Sequence, residues 1–253
     1  MKHTYMYETM KALVVREVRY KESDRIIELI TDKHGKLTAK ARGALRKTSK
    51  TSAATQLLTY SDLTLFFNKG KWTVNEGTVI EGFDALRTDI TSLALGCYFA
   101  ECLAALSIED QQDPPLMQLG LNSLYALSRE LYTQEHIKAA FELRLMCLAG
   151  YTPELNACAV CANQAPESPA LSLESGRLCC RTCRTAELGA TAPLCPDSLS
   201  AMRYIASADP KHIFSFSIEK DAQKRLSDAA ENYLLRQTER KFSTLDYYKS
   251  VRL

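Results

Sequence analysis

The sequence predicts an α+β protein with more than one domain, in which a small barrel of five β-strands precedes a helical part. Three observations lead to this fold class. β-Branched runs dominate roughly the first 80 residues, apolar residues recur at three- and four-residue spacing from about residue 84, and two Cys-x2-Cys pairs interrupt the helical part. At 253 residues, the chain is long enough for more than one hydrophobic core.

The N-terminal part alternates between strand patterns and turn residues. Strands are predicted over MKALVVREV, DRIIELITD and GKLTAKARG, and a hairpin over LTLFFNKGKWTVNEG with Asn68-Lys69-Gly70 as its turn. Five short strands in about 70 residues fit a small barrel, which at this size is most often an OB-fold, with an SH3-like barrel as the alternative. We expect this domain to cover residues 1–82.

Helical periodicity follows the strands. Helices are predicted over LRTDITSLALGCYFAECLAAL, PPLMQLGLNSLYALSREL, EHIKAAFELRLMCLAGY, PDSLSAMRYIA and IEKDAQKRLSDAAENYLLRQTERK. The second begins with proline at a natural first-turn position, the third ends at Gly150, and Ser217 is available as the N-cap of the last. These segments predict an all-α domain over residues 83–253.

Two cysteine pairs lie between the third and fourth predicted helices. Cys158-x2-Cys161, eighteen residues and Cys180-x2-Cys183 have the spacing of a four-thiolate zinc site, because a two-residue gap lets both sulfurs of a pair turn toward one ion. Four cysteine ligands close the coordination shell, so we expect one structural Zn²⁺. The alternative is a set of redox-active or incidental thiols.

The other cysteines are assigned to different roles. Cys179 should point away from the ion and pack beneath the second pair as a small apolar residue, after a turn at Gly176. Cys195 is a weak substitute ligand. The cysteines at positions 97, 102 and 147 lie on predicted helix faces and are expected in the core. No signal peptide and no apolar run of ~18–20 residues is present, which predicts a reducing, cytoplasmic location without membrane attachment.

Charge is distributed unevenly along the chain. The net charge is +2 overall, but residues 1–80 carry 15 Lys/Arg against 8 Asp/Glu, while the remainder carries 17 against 22. Seven basic residues and no acidic one occur between Lys33 and Ser61. A basic N-terminal part on a mildly acidic body indicates that one surface binds a polyanion.

We expect the basic part of the barrel to bind single-stranded nucleic acid. Lys and Arg neutralise phosphates, and exposed aromatic rings can stack on bases. No segment is typical of a recognition helix, so binding should be indifferent to sequence. A solvated loop is the alternative for the basic run. The predicted DNA-binding residues are Lys36, Lys40, Arg42, Arg46, Lys47 and Lys50 of the central run, with Arg16, Arg19 and Lys21 earlier in the barrel.

The sequence contains no recognisable catalytic constellation, which favours a binding protein over an enzyme. Neither G-x-S-x-G nor a phosphate-binding P-loop is present, and the four histidines have no metal-ligand spacing. His34 is interpreted as a solvated turn residue. The acidic residues at four-residue intervals from Asp24 to Asp32 are interpreted as solvated partners of Arg25 and Lys33.

Three segments resemble the RecO family of bacterial recombination mediators and DNA repair proteins. KALVVREVRYKESDRIIELITDKHGKLTAKARGALRKTSK is similar to that family's N-terminal barrel. FELRLMCLAGYTPELNACAVC resembles a helix that ends in Gly-Tyr-x-Pro before the first cysteine pair. GRLCCRTC resembles the second pair, with Cys179 where the family more often has an aliphatic residue. The similarity spans nearly the whole chain, and the segments occur in the order that the family has.

The resemblance implies an N-terminal OB-fold, a helical domain, and a zinc module inserted between its helices at residues 153–195. It also implies binding of single- and double-stranded DNA, strand annealing, and association with the bacterial nucleoid. With RecR as partner, family members load RecA onto strands covered by single-strand binding protein, whose C-terminal tail they recognise. That acidic and apolar tail should fit an apolar groove with a basic rim, for which Arg144 is a candidate; a solvated helix arginine is the alternative.

Two further function classes remain open. The chain could be a zinc-stabilised protein-interaction scaffold in which the basic barrel is incidental. It could also be a nuclease or another zinc enzyme, although a closed shell of four thiolates leaves no position for a reactive water. DNA binding that weakens steeply with added salt would distinguish a DNA-binding protein from the scaffold.

Overall fold

The N-terminal part of the protein, in a computed structural model that describes residues 6–185 and 188–252, is a five-stranded sheet that closes on itself. The neighbours follow the order β1-β2-β3-β5-β4, and β4 pairs with β1. β3 and β5 are parallel, whereas the other four pairings are antiparallel. This is the strand order of an OB-fold and confirms that prediction. The strands are β1 (Met6–Tyr20), β2 (Asp24–Thr31), β3 (Gly35–Ala41), β4 (Tyr60–Asn68) and β5 (Lys71–Glu81).

Alternating apolar residues close this sheet around its own core. In β3, Leu37, Ala39 and Ala41 point inward and are buried, as the period of two predicts. Gly77 of β5 packs against the same core, because a Cβ there would lie 2.7 Å from Leu63 Cδ2. The β4–β5 hairpin turns at Lys69 and Gly70, both with positive φ, as predicted.

Within the described residues, six α-helices and three short strands follow. The helices are α1 (Ile90–Leu106), α2 (Pro114–Ser128), α3 (Gln134–Leu148), α4 (Pro196–Ser207), α5 (Lys220–Thr238) and α6 (Ser243–Val251). The strands β6 (Pro169–Ser172), β7 (Leu178–Cys180) and β8 (Thr191–Pro193) form a sheet in the order β7-β6-β8. Helices α1 to α5 confirm the periodicity, whereas α6 and the small sheet were not predicted. Ser217 is not the N-cap of α5, because that helix begins at Lys220 and Glu219 takes the cap position.

The chain forms two compact units. The first comprises Met1–Arg129 with Phe242–Leu253 and contains the closed sheet, α1, α2 and α6. The second, Glu130–Lys241, contains α3, α4, α5 and the small sheet. The division into domains at residues 1–82 and 83–253, with an insertion at 153–195, stays a prediction. Across the described residues, no helix combines the length and apolarity that crossing a membrane requires.

A buried charge network joins two helices of the second unit. Lys138 Nζ on α3 lies 2.8 Å from Glu142 Oε1 and 2.8 Å from Glu231 Oε2 on α5. Burial alone would lower the pKa of Lys138, but the two carboxylates outweigh burial and raise it. Removing Lys138 would therefore leave two carboxylates, one of them fully buried, without a cation, which is strongly destabilising.

Candidate metal centre and nucleic-acid interface

The four sulfurs predicted to bind metal lie together in the second unit. The Sγ atoms of Cys158, Cys161, Cys180 and Cys183 are all within 4.8 Å of one another. Cys180 Sγ lies 3.7 Å from Cys158 Sγ and 3.6 Å from Cys161 Sγ. A tetrahedral Zn–S distance of about 2.3 Å places two ligand sulfurs about 3.8 Å apart, so the spacing fits a metal ion. It is too long for a disulfide, in which the sulfurs are about 2.05 Å apart.

Backbone amides favour the thiolate form of Cys158. Burial raises the pKa of the Cys158 thiol, but N–H groups of Cys161, Val160 and Cys180 outweigh it and lower that pKa to about 6. The N–H of Cys180 donates to Cys158 Sγ over 3.4 Å. By contrast, hydrogen bonds with Cys180 and Cys161 raise the pKa of Cys183 to about 12. Four thiolates at this spacing repel one another, and a cation between them would offset that repulsion.

Cys179 has the packing role that its offset predicts. It is fully buried, and its Sγ is 3.5 Å from the carbonyl oxygen of Ala170 in the small sheet. Gly176 makes the turn between β6 and β7 with φ of +67°, and a Cβ at this position would lie 2.5 Å from the Tyr233 hydroxyl. The turn that leads into the second cysteine pair therefore requires glycine.

The remaining cysteines lie outside the cluster. Cys102 is fully buried on α1, and burial raises the pKa of the partly buried Cys97 and Cys147. Cys195 precedes α4, where its N–H donates to Ser198 Oγ over 2.8 Å. The structure gives Cys195 a position at the start of a helix instead of a place among the four sulfurs.

The basic loop, defined here as residues 42–59 between β3 and β4, carries four exposed cations and no carboxylate. None of the four forms an ion pair with any residue that the structure describes. Their charge is therefore available to a polyanion in solution. The four residues are Arg42, Arg46, Lys47 and Lys50.

Hydrogen bonds hold the basic loop against the turn between β1 and β2. Gly43 N–H donates to Asp24 Oδ1 over 2.8 Å, and Leu45 N–H donates to the carbonyl oxygen of Ser23 over 2.9 Å. The buried Arg25 donates through Nη1 to the carbonyl oxygen of Ser52 over 2.9 Å. The Gly43 N–H and the Lys40 ammonium lower the pKa of Asp24. The loop is thus ordered before any ligand binds, which reduces the entropy that binding would cost.

The other predicted DNA-binding residues divide into two groups. Arg19 and Lys21 are exposed near this turn, and Arg16 is exposed but 2.9 Å from Glu28. Lys36 donates to the carbonyl oxygen of Ala104 over 3.1 Å. Lys40 lies 2.9 Å from Asp24 and over the Tyr20 ring. The charges of Lys36 and Lys40 are directed mainly at the protein itself.

Two interpretations of polar residues in the closed sheet were wrong. His34 lies in a turn as predicted but is not simply solvated, because its Nε2 lies 2.8 Å from Glu8 Oε2 and its ring packs 5.3 Å from that of Trp72. The acidic residues of β2 and its following turn have partners other than Arg25 and Lys33. They pair with Lys40, with Arg16 and with the backbone of Lys11, contacts that link distant parts of the chain.

Comparison with known proteins identifies the family of this chain. The family model described as Recombination protein O N terminal matches residues 6–83, and that described as Recombination protein O C terminal matches residues 87–246. The chain belongs to the RecO family. It is 31% identical to the DNA repair protein RecO of Acetivibrio thermocellus, over 97% of each chain. It is also 35% identical to that of Heliobacterium modesticaldum, over 80% of this chain and 75% of the relative.

Arg144 of this RecO family chain has a structural contact. Its Nη1 donates to the carbonyl oxygens of Ile205 and Ala206, over 3.2 and 2.7 Å. These carbonyls belong to the last turn of α4, where a cation is favourable. Its role in binding a partner stays a prediction.

Sequence reasoning missed a second basic site in this RecO family chain. Arg181, Arg184 and Arg225 line a pocket of about 380 Å³ beside the cysteine cluster. Arg181 lies within the second cysteine pair and Arg184 directly follows it, which gives a weak local signal, but Arg225 lies on α5, about forty residues further along. Only the fold brings the three together.

Proposed function

We propose that this chain is a mediator of DNA repair and homologous recombination that binds single- and double-stranded DNA and anneals complementary strands. The observation that carries the proposal is the basic loop, which is exposed, free of carboxylates and ordered against a closed five-stranded sheet. Membership of a family whose relatives are named DNA repair protein RecO supports it. Small closed sheets of this topology present strands and loops to nucleic-acid backbones.

Annealing by such a surface needs no bond-making step. Two DNA strands repel each other through their phosphates, and a surface that neutralises part of each backbone lowers that repulsion. Arg42, Arg46, Lys47 and Lys50 supply this charge without reading bases, so both strands can be accepted in any sequence. The proposed role is therefore non-enzymatic and independent of ATP.

The proposal extends to partners through the family. RecR is the proposed co-mediator, and the two would load RecA onto strands coated by single-strand binding protein. The C-terminal tail of that protein would dock on the helices, with Arg144 as one candidate contact. These partners imply a cytoplasmic, nucleoid-associated location.

We also propose that the cysteine cluster holds one structural zinc ion. Cys158, Cys161, Cys180 and Cys183 supply four soft thiolates at tetrahedral spacing. Bound zinc would fix the small sheet and its flanking segments in place. A shell of four protein ligands leaves no open position, which supports a structural role.

A salt titration of oligonucleotide binding tests the DNA proposal. Each phosphate contact contributes about 0.7 to the log–log salt slope for single strands. Replacing Arg46, Lys47 and Lys50 together with Ala should reduce the slope by up to about two units and abolish most annealing. The matched control replaces Lys211, Arg240 and Lys241 with Ala. These residues are exposed and lie outside the closed sheet, and their replacement removes the same charge as that of the loop residues.

The titration separates this proposal from the scaffold alternative. If the basic loop plays no part in DNA binding, the loop variant and the control variant will show the same salt slope and the same affinity for the oligonucleotide. Circular dichroism should show both variants folded, because exposed loop charges change stability by only about 0.5 kcal/mol each. A folded loop variant with the slope of the unmodified protein contradicts the basic loop as the DNA site.

A further inference from the structure

The second unit contains a pocket with three arginines that the DNA-binding proposal does not use. It has a volume of about 380 Å³, within the ordinary range for ligand sites. Arg181 and Arg184 come from the short helical turn and chain that follow β7, and Arg225 comes from α5. Pro169, Pro193 and Leu194 form its apolar wall.

The three guanidinium groups have no carboxylate partner within salt-bridge distance in the described part of the chain. Two other exposed arginines of the same unit do have one, since Arg177 pairs with Glu154 and Arg236 pairs with Glu174. Glu167 is the carboxylate among the lining residues, so the lining has a net charge of +2. Three like charges in one pocket repel one another unless an anion binds between them.

We propose that this arginine pocket binds the phosphate groups of a nucleic-acid strand. Guanidinium groups bind phosphate oxygens in a bidentate manner, and three of them suit a ligand with repeated charge. All three arginines are exposed, as contact with an extended backbone requires. Ser168 at the pocket adds a hydroxyl donor.

The role of this pocket rests on the proposed annealing function. An annealing protein must hold two strands, and the basic loop offers a site for one. The arginine pocket offers a phosphate site for the second strand. It lies in the second unit, whereas the basic loop lies in the first. Because the body of the chain after residue 80 is net negative, a local basic pocket is what allows a polyanion to bind there.

A co-occupancy experiment tests the pocket in the full chain. Two non-complementary single-stranded oligonucleotides carry a donor and an acceptor fluorophore, and energy transfer reports that one protein holds both. Arg225→Gln should weaken the second oligonucleotide about ten-fold or more, because it removes a charge-assisted contact, and should change the first less than about two-fold. Arg184→Gln should have the same effect. Lys224→Gln, on the same helix but outside the pocket lining, is the matched control and should behave like the unmodified protein.

The outcomes distinguish this inference from the proposed function. If co-occupancy survives both arginine substitutions, the pocket is not a DNA site. The same conclusion follows if the unmodified protein binds just one oligonucleotide at a time. Absence of any DNA binding overturns the proposed function and the pocket together. A labelled Asp/Glu-rich peptide that binds the unmodified protein but not Arg225→Gln, while co-occupancy is retained, would assign the pocket to a protein partner instead.

Discussion

Cys179 and Cys180 are adjacent in β7 but have different environments, because their side chains lie on opposite sides of the strand. Cys180 turns its sulfur toward Cys158 and Cys161, whereas Cys179 is buried on the opposite face beside Ala170. Successive residues of a strand point to opposite faces, so the offset of one residue decides between a place in the cysteine cluster and a place in the core.

This difference predicts the metal content of two variants. Cys180→Ser should reduce zinc from about one ion per chain to near zero, because a neutral hydroxyl is a poor zinc ligand. Cys179→Ala should retain about one ion, since it removes only a small buried group and should cost about 1 kcal/mol of stability. Elemental analysis of the purified chains measures both. If the Cys179 variant loses the metal and the Cys180 variant keeps it, the proposed ligand assignment is wrong by one position.

At the scale of elements, Asp89 shows how one side chain begins a helix. Its Oδ2 accepts hydrogen bonds from Thr91 Oγ1 and Ser92 N–H, over 2.6 and 2.7 Å, at the N-terminus of α1. These bonds lower the pKa of Asp89 from 3.8 to about 2. The folded pKa lies below the unfolded one, so the contribution to stability is present above about pH 4 and is lost as the pH falls toward 2.

We therefore predict a pH-dependent effect of the Asp89 cap. Asp89→Ala should lower the free energy of unfolding by about 1 kcal/mol at pH 7, and this loss should shrink as the pH falls below 4. Asp89→Asn keeps a capping oxygen and should cost much less at pH 7. Urea unfolding at pH 7 and at pH 3 measures the differences. An Asp89→Ala penalty that is equal at both values would contradict the cap as the source of the pKa shift.

Elements with a strong local pattern could be predicted from the sequence. The strands of the closed sheet and helices α1 to α5 follow from periodicity and turn residues, and the cysteine cluster follows from spacing alone. Helix α6 has only nine residues, STLDYYKSV, too few for a clear apolar period. Strands of three or four residues in the small sheet have no readable alternation, and their pairing depends on contacts across the module.

Long-range contacts explain the rest of what the sequence did not reveal. Lys36 and Lys40 look like free cations in the basic run, but their partners, the carbonyl of Ala104 and the carboxylate of Asp24, are placed there by the fold. The arginine pocket joins Arg184 to Arg225, which no local pattern links. Spacing therefore predicts which cysteines lie close together, and it fails for charges whose environment comes from distant elements.

At the scale of the whole molecule, the two compact units carry different parts of the proposed function. The closed sheet and the basic loop belong to the first unit, and the cysteine cluster belongs to the second. The buried charge network of Lys138, Glu142 and Glu231 also lies in the second unit, so that unit contains both the proposed metal site and a costly buried ion pair. Its stability should depend on the metal more strongly than that of the first.

Metal removal should therefore destabilise one unit and spare the other. Metal binding to such a cluster contributes directly to folding, so chelation under reducing conditions should lower the Tm of the second unit by more than about 5 °C. The transition of the first unit should move little, because its core contains no part of the cluster. Differential scanning calorimetry with and without chelator measures both transitions, and readdition of Zn²⁺ is the control for irreversible damage.

Fluorescence anisotropy of one labelled oligonucleotide should show that the metal-free chain still binds through the basic loop, within about two-fold of its original affinity. Loss of this binding on chelation, or a single transition that shifts as a whole, would show that the loop depends on the cysteine module.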